Sequence, residues 1–195
     1  MAIEFELKFR ADDAALAAIA AAYPHQHHHF DMQTTYYDTP SAALSARHYT
    51  LRRRMENDES VCTLKCPAEG LGRQEIELCC QDIHAAISYF CEHGAPEDFA
   101  SLVNEGLLPV CSASFHRSAI LVTQPDCVLE IALDKGSLSG GDKSIALCEV
   151  EVELKEGDPQ AAVSFARVLA QLYNLTPEKH SKFRRAHALY KGETL

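Results

Sequence analysis

A chain of 195 residues has room for one sizeable core but would leave two unrelated domains small, so a single domain over residues 1–195 is expected. Its 18 Lys and Arg stand against 28 Asp and Glu, a formal net charge of −10, which excludes a surface that attracts nucleic acid throughout yet leaves room for a concentrated anion site. No apolar run approaches the ~20 residues of a membrane span, and the eight cysteines include no Cys-x-x-Cys, so reduced thiols are expected rather than a disulfide framework or a zinc site.

The start, Met1-Ala2-Ile3-Glu4, has neither a basic n-region nor an apolar h-region, and a cytoplasmic location is the expectation. Residues 3–9 then alternate without a break, with Ile3, Phe5, Leu7 and Phe9 on one face of a strand and Glu4, Glu6 and Lys8 on the other. Asp12 reads as the N-cap of an Ala-rich helix to Ala22, with Leu16 and Ile19 inward and Pro24 beyond its end. His25, His27, His28 and His29 follow, but adjacent strand residues point in opposite directions, and an exposed strand start is the simpler reading.

Residues 34–38 are β-prone and stop at Thr39-Pro40. The next strand, 49–55, places Arg52 and Arg54 on one face and Leu51 and Arg53 on the other. In 61–66, Cys62 and Leu64 oppose Thr63 and Lys65 before a turn at 67–70, after which Gln74, Ile76 and Leu78 oppose Arg73, Glu75 and Glu77. Asp82 caps a helix that stops at Gly94, and Pro96 opens another that ends near Gly106.

Strands resume as 110–115, 117–123 and 128–134, the last with Glu130 and Asp134 opposite Leu129, Ile131 and Leu133. Gly140-Gly141-Asp142 is a loop, and Glu149, Glu151 and Glu153 then share one face, a near mirror of the first strand. Asp158-Pro159 starts a helix to Leu172, and Thr176-Pro177 opens a last helical segment holding Lys182, Arg184 and Arg185.

The expected fold class is therefore α+β: about eight mostly consecutive, antiparallel strands curled into a barrel or tunnel and covered by amphipathic helices. If the helices cover the apolar side of each strand, the ionic side lines the lumen. Clustered carboxylates suit hard cations such as Mg²⁺ or Mn²⁺, and clustered Arg and Lys suit a phosphate chain. The competing reading is a barrel filled by its own salt bridges, which does not by itself call for three same-sign residues in one strand.

Glu4-x-Glu6-x-Lys8 resembles the signature of the triphosphate tunnel metalloenzymes, or CYTH domains. The other blocks fall in that family's order: Tyr36-Tyr37-Asp38-Thr39, Leu51-Arg52-Arg53-Arg54, Thr63-Leu64-Lys65, Arg73-x-Glu75-x-Glu77, Phe115-His116-Arg117, Glu130-Ile131-Ala132-Leu133-Asp134, Glu149-x-Glu151-x-Glu153 and Ser181-Lys182. The resemblance implies an eight-stranded antiparallel tunnel that hydrolyses a triphosphate with Mg²⁺ or Mn²⁺. It is nearest to the bacterial inorganic triphosphatases, although Ala186 stands where their Ser-Lys-x-x-Arg-Gly block ends in Gly.

By the same resemblance, Arg52, Arg54, Lys65, Arg73, Arg117 and Lys182 grip the phosphates, and Glu4, Glu6, Asp134, Glu149 and Glu151 hold the metal. Lys8, the Tyr36 it faces and Glu6 are the catalytic residues so implied, acting on the terminal phosphate or the attacking water. The implied partner is a small-molecule triphosphate, with no nucleic acid or membrane, bound by a monomer or homodimer. A thiamine triphosphatase, which shares Tyr-Tyr-Asp-Thr and Leu-Lys-Cys-Pro, is a rival reading, as are a class IV adenylyl cyclase and a polyphosphate-binding module without turnover.

Overall fold

The computed structural model describes residues 2–24, 27–68 and 73–195, with side chains described from Phe5 onward. The side chain of Glu4, His25, and residues 69 and 70 of the expected turn lie outside the described residues. The N-terminal alternation forms β1 (Ala2–Glu4) and β2 (Glu6–Arg10), interrupted only at Phe5. Asp12 then caps α1 (Asp13–Ala22) by accepting from the Ala15 N–H at 2.8 Å, and Leu16 and Ile19 are the residues α1 buries.

The chain continues through β3 (His27–Asp38), α2 (Ala43–Ala46), β4 (Thr50–Glu56), β5 (Glu59–Pro67), β6 (Arg73–Cys79), α3 (Ile83–Glu92) and α4 (Phe99–Val103). Three long strands follow, β7 (Leu108–Thr123), β8 (Cys127–Gly140) and β9 (Lys143–Gly157), and then α5 (Pro159–Leu172), the two-residue β10 (Thr176–Pro177) and α6 (Lys182–Lys191). Every ladder is antiparallel, in the order β1-β6-β5-β4-β3-β7-β8-β9-β2-β10. This order is linear rather than a ring, but β1 pairs with β6 at one end and β2 with β9 near the other. One N-terminal strand thus serves both ends of the sheet. With β1 and β2 counted together and β10 set aside, eight strands remain among the described residues.

Alternation decides what each face meets. Leu129, Ile131, Leu133, Val150 and Val152 point out of the curled sheet into a core shared with Leu16 and Ile19 of α1 and Ala162, Ala166 and Leu169 of α5. Fully burying each large aliphatic side chain contributes about 1.5–3 kcal/mol, which secures the register of β8 on β9. A second core lies under α2, α3 and α4, where Leu51, Cys62, Leu64 and Ile76 meet Leu44, Phe90 and Phe99. Between these strands and α2, the buried carboxylate of Asp38 accepts from the backbone N–H groups of Thr39, Leu44 and Ser45 at 2.8, 2.9 and 3.1 Å. Asp38 thereby fixes the chain reversal after β3, and Tyr36 is left facing inward.

Three expectations are corrected. The strands read at 110–115 and 117–123 are one 16-residue strand, β7, because His116 carries no turn chemistry and pairs with Asp31 and Lys135 on either side. The helix read from Pro96 is confined to the five residues of α4. Thr176-Pro177 does not open the last helix: it pairs with Phe9 and Arg10 at the edge of the sheet, where a missing N–H is tolerated. Ser181 is the true N-cap of α6, accepting from the Arg184 N–H at 3.1 Å. Gly140 lets α6 lie against the sheet, since a Cβ there would stand 2.2 Å from the backbone oxygen of Ala186.

Candidate functional site

The inward face of the sheet encloses a cavity of about 340 Å³. Its walls carry the cations Lys8, Arg52, Arg54, Lys65, Arg73, Arg117, Lys155 and Lys182 and the carboxylates Glu6, Glu56, Glu75, Glu77, Glu130, Glu151 and Glu153. Phe30, Met32, Tyr36, Phe115 and Phe183 form an apolar part of the wall, which the sequence alternation alone did not lead us to expect. Lys155 and Glu56 are also additions, and both were legible: each continues an inward series by one further period of two, Glu149-Glu151-Glu153-Lys155 and Arg52-Arg54-Glu56.

The basic wall is built on β4, β5 and β6. Arg52 lies 3.4 Å from Glu75 and 3.7 Å from Glu77, Lys65 lies 3.2 Å from Glu75, and the Arg54 Nε donates to Glu56 at 2.6 Å. Burial, and after it the neighbouring Arg52 guanidinium, pull the Arg54 pKa below its ordinary value. Arg73 is turned to the strand ends, where it donates to the backbone oxygens of His48 at 2.8 Å and Lys65 at 3.3 Å. Arg53, on the opposite face, reaches the Gln81 carbonyl at 3.2 Å.

The acidic wall lies on β8 and β9 and is joined to α6. Asp134, Glu149 and Glu151 bring one oxygen each within 4.8 Å of one another, all three buried. The ammonium of Lys182 contacts all three, at 2.8 Å from both Asp134 and Glu151 and in a shorter contact with Glu149. Arg117 adds a two-pronged pair to Asp134, both bonds 2.7 Å, and a bond to Glu151 at 2.6 Å, while Arg185 pairs with Glu149. Burial opposes the charges of Arg117, Glu149, Glu151 and Lys182. For Arg117 it is outweighed by Asp134 and Glu151, which hold the guanidinium well above its ordinary pKa; for Glu151 it is outweighed by Lys182 and Arg117, which hold the carboxyl well below.

Three carboxylate oxygens converging on one positive centre are, as a donor set, chemically suited to a hard divalent cation. The Lys182 ammonium shares that position, so a divalent ion and Lys182 compete for the same oxygens. Among the residues expected to hold metal, Glu6 and Glu151 line the cavity, whereas Asp134 and Glu149 lie behind them, fully buried. The Glu4 backbone pairs with Arg73.

Lys8 donates to Glu6 at 2.6 Å, and although burial works against its charge, Glu6 and Glu151 outweigh it and keep the ammonium protonated. Lys8 is therefore a charged donor and not a base at neutral pH. Tyr36 lines the same cavity with its ring 5.2 Å from that of Phe183, and burial raises its phenol against the pull of Arg52 and Lys182, so it too stays protonated. The Phe115 ring is covered by cations, with Lys182 Nζ at 5.2 Å and Arg117 Cζ at 5.7 Å from its centroid.

A curled antiparallel sheet around a cavity walled by both signs of charge defines a β-tunnel protein with an ionic lumen. The chain matches the CYTH domain model over residues 2–187 and belongs to that family. It is 29% identical to the inorganic triphosphatase of Haemophilus influenzae over 168 residues, 84% of this chain and 47% of that protein, so it spans about half the length of this curated relative. The fold is shared with the PH1819 protein of Pyrococcus horikoshii OT3, at a TM-score of 0.64 and 19% identity over 93% of this chain and 97% of that one. It is also shared with HpAC1 from Hippeastrum, a candidate adenylyl cyclase described as having a dominant triphosphatase activity, at a TM-score of 0.62 and 16% identity over 98% and 97% of the two chains. Among the described residues no helix is long and apolar enough to cross a membrane.

Proposed function

We propose that the chain is a metal-dependent triphosphatase acting on a small-molecule triphosphate in the cytoplasm, with inorganic tripolyphosphate, cleaved to pyrophosphate and phosphate, as its preferred substrate. The observation that carries this reading is that Arg52, Arg54 and Lys65 line the same cavity as Glu6, Glu130, Glu151 and Glu153. A phosphate chain finds its counter-charges on β4 and β5, and a divalent cation finds oxygens on β2, β8 and β9. Arg52, Arg54 and Lys65, supported by Arg73 and Arg117, bind and orient the phosphates, Arg through paired N–H donors and Lys as a point charge.

Glu6 and Glu151 would hold Mg²⁺ or Mn²⁺ from the cavity side, with Asp134 and Glu149 behind them as the further carboxylates, in competition with the Lys182 ammonium. When bound, the ion neutralises phosphate charge and makes a water more acidic. Lys8 steers the terminal phosphate by hydrogen bonding, and Tyr36 donates from the opposite strand. Catalysis of in-line displacement by water then rests on positioning and electrostatics.

The apolar wall bears on substrate choice. Phe115 is covered by two cations and Tyr36 is packed against Phe183, so the affinity comes chiefly from phosphate contacts, which favours the inorganic triphosphate. The test is kcat/KM for tripolyphosphate, thiamine triphosphate, ATP and pyrophosphate with Mg²⁺ or Mn²⁺. Tripolyphosphate is expected to lead. A value for either organic triphosphate at least tenfold higher, about 1.4 kcal/mol of transition-state preference, overturns the inorganic assignment and points to stacking on Phe30 or Phe183. Absence of phosphate release from every substrate overturns the enzyme.

A further inference from the structure

On the outer face of the β3–β7 ladder, away from the cavity, His27, His29 and Asp31 alternate along β3 beside His116 and Ser118 of β7. Asp31 and His116 are direct cross-strand partners, and Asp31 Oδ1 lies 3.0 Å from His116 Nδ1. An ionised carboxylate can only accept a hydrogen bond, so the His116 Nδ1–H donates to Asp31 and, in the neutral ring, Nε2 carries the lone pair. That Nε2 is 3.3 Å from Nδ1 of His29. Two imidazole nitrogens bound at 2.0–2.1 Å to one tetrahedral ion would stand roughly 3.4 Å apart.

The surroundings hold this pair in place. Asn57, in the left-handed conformation at the β4–β5 turn, accepts from the Asp31 N–H at 2.8 Å and donates its own N–H to the Asp31 carbonyl at 3.0 Å. His27 is tied back, with Nε2–H donating to the Ala20 carbonyl at 3.2 Å and Nδ1 accepting from the Ser118 hydroxyl at 2.6 Å, and its ring stacks 5.8 Å from that of His29. The His29 and His116 rings are nearly parallel, 19° apart at 5.4 Å, and both are exposed. A metal-binding histidine whose second nitrogen donates to a carboxylate is the usual way a protein fixes both tautomer and ring orientation.

We propose that His29 Nδ1 and His116 Nε2 form a surface site for a borderline divalent cation of the Ni²⁺, Zn²⁺ or Cu²⁺ class, with Asp31 orienting His116 and waters completing the coordination. Neutral imidazole suits these ions, whereas the carboxylates of the cavity suit Mg²⁺ and Mn²⁺. The two sites therefore separate by ligand chemistry as well as by the face of the sheet they occupy. The run of histidines at 27–29 does not by itself make the site, because alternation turns His28 away and His27 is already engaged.

The experiment is calorimetric titration of the full chain with Ni²⁺, repeated on His29→Gln, His116→Gln and His28→Gln, with circular dichroism to confirm that each variant is folded. The unaltered chain and His28→Gln are expected to bind alike, and His29→Gln and His116→Gln at least tenfold more weakly. Asp31→Asn, which keeps the shape but not the charge behind His116, is expected to weaken binding without abolishing it. Equal binding by all the histidine variants would place the ion on the cavity carboxylates or a thiol and overturn the site. No Ni²⁺ binding by the unaltered chain would reduce the pair to a His–His hydrogen bond, and a loss in His28→Gln equal to that in His116→Gln would make the histidine run, not the cross-strand pair, the ligand.

Discussion

The ammonium of Lys182 lies 2.8 Å from Glu151, and this contact joins the first turn of α6 to the middle of β9. The same ammonium also meets Asp134 and Glu149, so α6 contributes a charge to the site as well as an apolar face to the core. Removing one partner of a buried ionic cluster leaves the others without compensation, which typically costs about 3–5 kcal/mol. Lys182→Met is therefore expected to destabilise the protein by about that amount. Arg52→Ala is expected to leave stability nearly unchanged, because Arg52 and Arg54 stand two residues apart on one face, and relief of their repulsion offsets the broken ion pairs with Glu75 and Glu77. Its cost falls on the ligand: Kd for a non-hydrolysable triphosphate analogue should rise by about tenfold to a hundredfold, the worth of one charged hydrogen bond. Urea denaturation of both variants and calorimetry on Arg52→Ala check this. Equal stability losses would refute the division between a structural and a ligand-binding cation, and an unchanged Kd would remove Arg52 from the phosphate site.

The carboxylates divide in the same way. Glu6 is a partly exposed cavity residue paired with Lys8, while Glu151 is buried and supports both Lys182 and Arg117. Both Glu6→Gln and Glu151→Gln should raise the metal concentration needed for half-maximal activity, because an amide is a poorer ligand for a hard cation than a carboxylate. Only Glu151→Gln should also lower the melting temperature by several degrees, since about 1 kcal/mol moves a domain of this size by ~2–4 °C. Activity is read against Mg²⁺ and Mn²⁺ concentration, and stability by thermal unfolding in the presence of chelator. Full activity of both variants at low metal would sink the cation assignment.

The period-two alternation made the ionic interior legible because it is a local property: Glu149, Glu151 and Glu153 are alternate residues of one strand, and register then carries them to the same face. Who neutralises whom was not legible. Lys182 is 31 residues from Glu151 in sequence, and the packing of α6 on the sheet, close against Gly140, brings them together. The division of the first strand at Phe5 was equally hidden, since the apolar and charged pattern runs through it unbroken while the partner strand changes from β6 to β9. The apolar stretch of the cavity wall was hidden for a related reason. Phe30, Met32 and Phe115 alternate with polar residues in the opposite phase from the acidic strands, so they read as outward until the register of β3 on β7 is known.

His187 gives stability one component of its pH dependence. It is buried on α6, with its ring 5.1 Å from that of Phe183 and 6.0 Å from that of Tyr190. Burial is the main cause that lowers its pKa below the ordinary value of 6.5; Lys191 and Arg184 push the same way, while Asp38 and Glu193 oppose them. A histidine kept neutral by folding is protonated in the unfolded chain first. Its contribution to stability is therefore complete above the unfolded value of 6.5 and is lost as pH falls from there to the lower folded value. His187→Phe keeps a ring between Phe183 and Tyr190 and removes the titration. The variant's melting temperature relative to the unaltered protein should accordingly rise as pH is lowered from about 7 to about 5, whatever the offset at neutral pH. A difference that stays constant over that interval would show that His187 is protonated equally easily in the folded and unfolded chain.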